Sequence, residues 1–328
     1  MSIDRRSFLY AGGMTAAATP FATSAHAAAS QGARSVTDFG VEPNVDRDQT
    51  DALQKAIDEL SRAGQAIILP GGRYVTGPLK LPKICALAGT PHMTVLRAKG
   101  EDTVLSGARI TALHLSGIAF ERAETSKTGT AAIDVSGAAL HIAHCGFRGR
   151  AGIGMRLENC SGTVEAVDIE NALATGIWAS EAAGLTISGC RISKCQGSGI
   201  AISGTGGQVQ GFGVTQNQIA ECGVAIAAEG TGIVSDNILT GAARFGLKLG
   251  NAKSQGSIVA QSNLIRDCRI GIGVASSGDD IMAALNMIVG AKDGAIRAFD
   301  GDRLVGPDLV RQSTESYLNL MVAGNVVR

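Results

Sequence analysis

The chain has 328 residues, with 29 Lys and Arg against 29 Asp and Glu, 44 Gly, 7 Cys and 4% aromatic residues. This balance leaves no basic excess to attract phosphate backbones, so nucleic acid is not an expected partner. No run of about twenty apolar residues follows the first 27, so no transmembrane span is expected in the mature protein.

Asp4-Arg5-Arg6-Ser7-Phe8-Leu9-Tyr10 precedes a mildly apolar, Ala-rich stretch from Ala11 to Ala22 and then Ala25-His26-Ala27. Paired arginines, a weak apolar run and small residues in that order read as a twin-arginine signal peptide over residues 1–27, with Arg5 and Arg6 as the address and cleavage after Ala27. The expected partner during export is then the Tat translocase, and the mature chain is expected to be periplasmic or secreted. A signal of this kind implies a chain folded before it leaves a reducing compartment. The seven cysteines are also few for the length and odd in number, so free, buried thiols are expected.

Residues 28–64 read as a linker and an N-terminal cap. Asp48-Gln49-Thr50 opens a segment with Leu53, Ala56, Ile57 and Leu60 at i, i+3, i+4 and i+7. That spacing predicts an amphipathic helix of about three turns. Such a helix can cover the open end of a first coil, whose strand edges would otherwise be unpaired. Ala66 to Tyr74 then reads as strand, turn, strand.

Residues 65–328 are expected to form one repeat domain, in which two phrases recur, the first of them from residue 150 onward. One is Gly followed by apolar, outward, apolar; its first apolar residues are Ile153, Ile177, Ile200, Val224, Leu247, Ile272 and Ile296. The other is a short apolar alternation followed by Cys or Asn, as in Leu140 to Phe147 and Leu185 to Ile192. Three to five residues of period two make a short strand. A phrase that always returns in the same direction about 24 residues later makes parallel stacking and not hairpins. The predicted fold is all-β, a right-handed parallel β-helix with coils of about 24 residues and an N-terminal capping α-helix. Like residues then stack in columns, with Asn217, Asn237, Asn263, Asn286 and Asn325 forming a turn ladder. Cys145 and Cys190 fall two coils apart in that column, about 9.6 Å at 4.8 Å per coil, too far for a disulfide.

The runs Asp38-Phe39-Gly40, Asp48 to Ile57 and Ile68-Leu-Pro-Gly-Gly-Arg-Tyr74 resemble the N-terminal cap of the pectate-lyase-like β-helix superfamily. Together with the repeats, the signal resembles a family of twin-arginine-exported repeat proteins. The resemblance implies the fold; it does not select among hydrolases, lyases, epimerases and silent adhesins.

Three candidate sites emerge. Gly278-Asp279-Asp280 is similar to the acid pair of polygalacturonase-like enzymes, where such a pair implies inverting hydrolysis. The companion Asn-Thr-Asp, Gly-His-Gly and Arg-Ile-Lys of those enzymes are missing, and a solvated turn is the competing reading. Asp302 lies 23 residues after Asp279, one coil on, so Asp279, Asp280, Asp302 and Arg303 are catalytic candidates. Stacked like charges favour a cation, so Asp279 and Asp302 are candidate Ca²⁺ ligands, with Arg297, Arg303 or Lys292 as the base of a lyase. No cofactor is otherwise required. His114 and His141 share an outward slot 27 residues apart, near His144, and suit either acid–base chemistry or exposed turns. The third candidate is a flat face through Gly154, Trp178, Ala201, Ala225, Lys248, Gly273 and Arg297. There a glycan would stack on Trp178 and pair with Lys248 and Arg297, unless flanking loops cover the small residues. The expected function is binding or processing of an extended, acidic polysaccharide. The alternatives are a structural envelope protein and a Ca²⁺-dependent polysaccharide lyase.

Overall fold

The computed structural model describes residues 32–122, 129–149, 152–204, 210–301, 303–310 and 317–328. The expected signal, with Arg5, Arg6 and Ala27, lies outside these residues, as does Asp302.

The chain climbs in successive coils that lay their short strands into three long sheets of 12, 12 and 11 strands. Within each sheet, neighbouring strands come from consecutive coils and pair in parallel. The exception is Arg303–Asp308, which lies antiparallel on Ile296–Asp300 and closes the third sheet. Alternation along each strand explains the packing. Leu185–Ser188, for example, alternates buried and half-buried side chains. The inward residues of all three sheets merge into one apolar core from Val36 to Leu309.

Helix α1 (Thr50–Arg62) covers the N-terminal end, burying Leu53, Ala56, Ile57 and Leu60 as the spacing predicts. Asp48 Oδ1 accepts hydrogen bonds from Thr50 N at 3.0 Å and Thr50 Oγ1 at 2.5 Å, while Lys99 Nζ donates to Oδ2 at 2.9 Å. Hydrogen bonds from Thr50 and Lys99 hold this carboxyl down at about 2. At the other end, Leu320–Ala323 and Val326–Val327 add one more strand each to the first and second sheets.

The corner between the first and second sheets carries the predicted ladder. Asn217, Asn237 and Asn263 each donate from Nδ2 to the Oδ1 of the next Asn at 2.9–3.0 Å, and Asn286 donates likewise to Asn325. Each of these amides also reaches a backbone carbonyl, as from Asn237 to Val214 O at 2.9 Å. The left-handed backbone falls on the residue before each Asn, as at Gln216, Asp236, Ser262 and Leu285, and not on Asn itself. Asn is needed because its amide satisfies buried backbone groups that a turn inside the core would strand. Cys190 N donates to Asn217 Oδ1, extending the column towards Val167 and Cys145. All seven cysteines are free and buried.

The third sheet corrects the expected column. Met155, Ile177, Ile200, Ile226, Leu247, Ile272 and Ile296 are in register, so the steps are 22, 23, 26, 21, 25 and 24 residues. Ile153 and Val224 sit two residues off this column, pairing with Ala131 and with Ser198 and Phe245. Neither joins the main core: Val224 packs in a separate small cluster, and the inward aliphatic stack is carried by Met155 and Ile226, two residues further on.

Candidate functional site

Asp279 is fully buried. Its Oδ1 accepts from Gly256 N at 2.6 Å, and its Oδ2 accepts from Gly230 N at 3.2 Å, Asn251 N at 3.1 Å and Ser254 Oγ at 2.5 Å. One carboxylate thus ties together turns from consecutive coils. With both oxygens occupied and no access to solvent, it has no lone pair facing a substrate or cation. Asp280 follows as the first residue of strand Asp280–Ala284, exposed, with its backbone paired to Ser257. The expected acid pair is therefore corrected: adjacent residues entering a strand face opposite ways. Arg303 is exposed and opposite Asp300 in the antiparallel pair. Among the described residues, no group of three His, Cys, Asp or Glu is placed to hold a metal ion.

His114 and His141 do stack, with ring centroids 4.9 Å apart. His141 Nδ1 lies 2.8 Å from Thr163 Oγ1, and its Nε2 lies 3.7 Å from Glu165 Oε1. His114 Nδ1 is buried without a partner, and burial followed by the neighbouring His141 pushes its pKa down. His144 is exposed at the turn and, with Arg148, Asp168, Arg191 and Gln218 beside Phe147 and Ile238, lines an open groove of about 530 Å³ on the second sheet.

The outward column of the third sheet runs Asp134, Arg156, Trp178, Ala201, Ala227, Lys248, Gly273, Arg297. Arg156 and Ala227 replace the expected Gly154 and Ala225, because of the slip described above. Arg156 donates to Asp134 Oδ2 at 2.8 Å and to Gly129 O at 2.6 Å, with its guanidinium carbon 5.4 Å from the centre of the Trp178 ring. Trp178 Nε1 donates to Ser203 Oγ at 3.2 Å. These contacts fix the orientation of the half-buried indole.

Further along, the face is covered. A Cβ on Gly273 would lie 2.6 Å from Phe245 Cε1, and Phe245 packs against Phe299 with centroids 6.1 Å apart. Val224, Phe245 and Ile270 form a small outer cluster with Ala227 and Leu304 against it. Arg297 donates to Asp293 O at 3.0 Å and Gly306 O at 2.9 Å, so its guanidinium straps the last turns and is not presented to a ligand. That assignment is corrected. Lys248 Nζ lies 4.9 Å over the Phe299 ring, at the border between the covered and open parts of the face.

Glu229 was not singled out from the sequence. It follows strand Val224–Ala228, its N donates to Ile202 O at 3.1 Å, and its Oε2 accepts from Asn251 Nδ2 at 3.1 Å. Burial raises its carboxyl pKa; Asn251 and Lys248 pull it down, and the charge of Asp279 pushes it further up. The only sequence signal was a Glu at a turn where the neighbouring coils carry Ser203 and Gly250, and Glu158 recurs at the same position three coils earlier. Trp178, Ser203, Glu229 and Lys248 thus come from four consecutive coils, spanning about 14 Å at 4.8 Å per step.

Residues 106–213 and 151–307 match the family described as right handed beta helix region, and residues 33–118 match rhamnogalacturonase A/epimerase, pectate lyase-like. No curated protein sequence matches the chain. Among solved structures, the polygalacturonase from Erwinia carotovora ssp. carotovora is 13% identical with a TM-score of 0.62, covering 88% of this chain and 92% of that one. An exopolygalacturonase from Thermotoga maritima is 15% identical with a TM-score of 0.50, covering 89% and 81%. The enzymatically active domain of tailspike protein 2 from bacteriophage CBA120 is 12% identical with a TM-score of 0.58; the match covers 82% of this chain but only 46% of that one. At these identities the likeness is one of fold.

Proposed function

The chain belongs to the right handed beta helix region family, and from that premise we propose that it is an exported protein that holds an extended, acidic polysaccharide along the outer face of the third sheet. The observation that carries this reading is Trp178, half buried, oriented by Arg156 and Ser203, with Ala201 directly beside it in the next coil. A sugar ring stacks on the indole, the small side chain of Ala201 lets the next ring approach the sheet, and Lys248 pairs with a sugar carboxylate. That two of the compared structures are polygalacturonases supports a polysaccharide as the ligand. Export through Arg5 and Arg6, cleavage after Ala27 and a periplasmic or secreted location belong to the same proposal.

If the chain is processed as well as held, the group placed to handle a proton is Glu229. It retains its proton to higher pH than an ordinary carboxyl and borders the open face near Lys248. Asp280 and Arg303 are the other exposed candidates; Asp279 serves the fold.

A panel of acidic polysaccharides tests the reading. Trp178→Ala is expected to weaken binding about tenfold, equivalent to about 1.4 kcal/mol, the scale of one aromatic contact. Equal binding by both proteins would sink the platform. In the same incubations, absorbance near 230 nm reports lyase products and reducing ends report hydrolysis; their appearance in wild type and loss in Glu229→Gln would add chemistry to binding.

A further inference from the structure

The two oxygens of the Glu229 carboxyl are not equivalent. Oε2 is committed, accepting from Asn251 Nδ2 at 3.1 Å. Among the described residues none hydrogen-bonds to Oε1, and that oxygen is not sealed from solvent. A proton on this carboxyl therefore belongs on Oε1, leaving Oε2 as the acceptor that Asn251 requires. Glu229 follows Ala228, which pairs with Ile202 on one side and Leu249 on the other. It thus lies beside Ser203, which holds the Trp178 indole, and diagonally across from Lys248 of the next coil, a separation that long side chains span.

The charged groups that face Glu229 are Asp279 behind it and Lys248 in front. Asp279 is fully buried, and its Oδ2 accepts from Gly230 N at 3.2 Å and Asn251 N at 3.1 Å, the residue next to Glu229 and the residue that binds it. Burial favours the neutral form of Glu229 and the negative charge of Asp279 adds to this, against the pull of Asn251 and Lys248.

We propose, resting on the polysaccharide reading above, that Glu229 and Lys248 form a proton-gated clamp for one carboxylate of an acidic polysaccharide. Protonated Glu229 donates from Oε1 to the sugar carboxylate while Lys248 supplies the opposite charge, and loss of the proton releases the chain. Ionised Glu229 acts twice against the ligand. It sets one carboxylate against another, and it draws to itself the Lys248 charge that the sugar needs. The neutral form removes both obstacles, and an O–H donated to a carboxylate is a short, charge-assisted bond. Because the bound carboxylate favours the protonated form, binding takes up a proton wherever free Glu229 is ionised.

Isothermal titration calorimetry of the wild type with polygalacturonate, at fixed ionic strength from about pH 5 to about pH 8, tests this; the sugar carboxylates stay ionised throughout that range. Affinity is expected to be level at the acid end and then to fall about tenfold per pH unit, with about one proton taken up per site, read from the heats in two buffers of different ionisation enthalpy. Glu229→Gln, whose amide donates at every pH, is expected to bind without this slope and to exceed the wild type at about pH 8 by about tenfold or more. A wild type that binds equally well across the range, or a slope that survives in Glu229→Gln, overturns the clamp. Trp178→Ala, titrated in parallel, separates the clamp from the platform: its weakened binding is expected to keep the wild-type slope. A level wild-type profile with binding weakened by Trp178→Ala leaves the platform standing without the clamp, whereas no binding at any pH, or Trp178→Ala binding as well as the wild type, removes the platform and the clamp with it. Far-ultraviolet circular dichroism checks the fold of each variant; should Glu229→Gln unfold, proton uptake by the wild type decides, and none taken up overturns the clamp.

Discussion

Replacing Asp279 separates a structural carboxylate from a catalytic one. Its four hydrogen bonds all come from donors buried with it or at the turns it joins, three of them backbone N–H groups. A hydrogen bond to a charged group contributes about 1.5–3 kcal/mol, and stranding a buried donor costs about 1–3 kcal/mol; the four contributions overlap, so Asp279→Ala is expected to lose about 4 kcal/mol. Asp279→Asn keeps the shape and one acceptor. Its oxygen serves the three donors at the Oδ2 position, its NH₂ then confronts Gly256 N, and the loss is about 2 kcal/mol. At roughly 2 °C per kcal/mol for a chain of this size, the melting temperature should fall by about 8 °C for Ala and about 4 °C for Asn. Asp280→Asn, on the exposed side of the same dipeptide, should leave it within about 1 °C. Thermal unfolding followed by circular dichroism measures all three. An Asp279→Asn protein as stable as the wild type, but devoid of a polysaccharide-cleaving activity that the wild type has, would refute the reasoning and restore the acid pair.

Two other perturbations test the core. Asn263→Asp removes the amide that donates to Val234 O, Gln261 O and Asn286 Oδ1 and sets a buried carboxylate among those acceptors, so a loss of about 3–5 kcal/mol is expected in urea unfolding, more than for Asn217→Asp nearer the end of the ladder. Burial pushes the Cys85, Cys145 and Cys190 thiols up to about 12, 11 and 12 from an ordinary 9.0. Each raised value means the folded chain keeps a proton that the unfolded chain releases, so this stability is intact below pH 9 and is lost as the pH climbs from 9 towards 11–12, by about 1.4 kcal/mol per thiol at pH 10. Melting temperatures measured from pH 8 to 11 should fall less steeply in a Cys145→Ala, Cys190→Ala protein; an unchanged slope would show that the thiols do not titrate this way.

The solenoid and its cap were legible because each rests on a periodic constraint. Leu53, Ala56, Ile57 and Leu60 can face one way only on a helix, and a ladder residue must recur once per coil. Register within the third sheet was not legible. Ile153 and Met155 are both apolar and both follow a Gly closely, so hydrophobicity in the sequence cannot decide which of them neighbours Ile177; only pairing does, and only Met155 joins the core. The error carried into the site, since moving one coil by two residues placed Gly154 where Arg156 stands and concealed the guanidinium that braces Trp178. The acid pair failed for a related reason. Adjacency in sequence suggests adjacency at a substrate, whereas the pleat sends Asp279 inwards and Asp280 outwards.

Small residues on an outward column carry two opposite meanings, and composition cannot separate them. Gly273 and Ala201 look alike in sequence, each a gap in a row of larger side chains. At Gly273 the gap is filled by Phe245, whose ring lies where a Cβ would be, so the missing side chain makes room for the protein's own cover. At Ala201 the column neighbours are Trp178 and Ala227, and the outer aromatic cluster reaches only as far as Ala227. What distinguishes them is a large residue elsewhere, Phe245, at the start of a strand that pairs with Val224 and Ile270. Its outward setting requires the backbone to put Gly246 at the corner beside the Ile265 and Cys268 side chains. The extent of open surface on the third sheet is therefore set by where the corner glycines let an aromatic ring swing out, and the glycan face proposed around Trp178 ends where Phe245 begins.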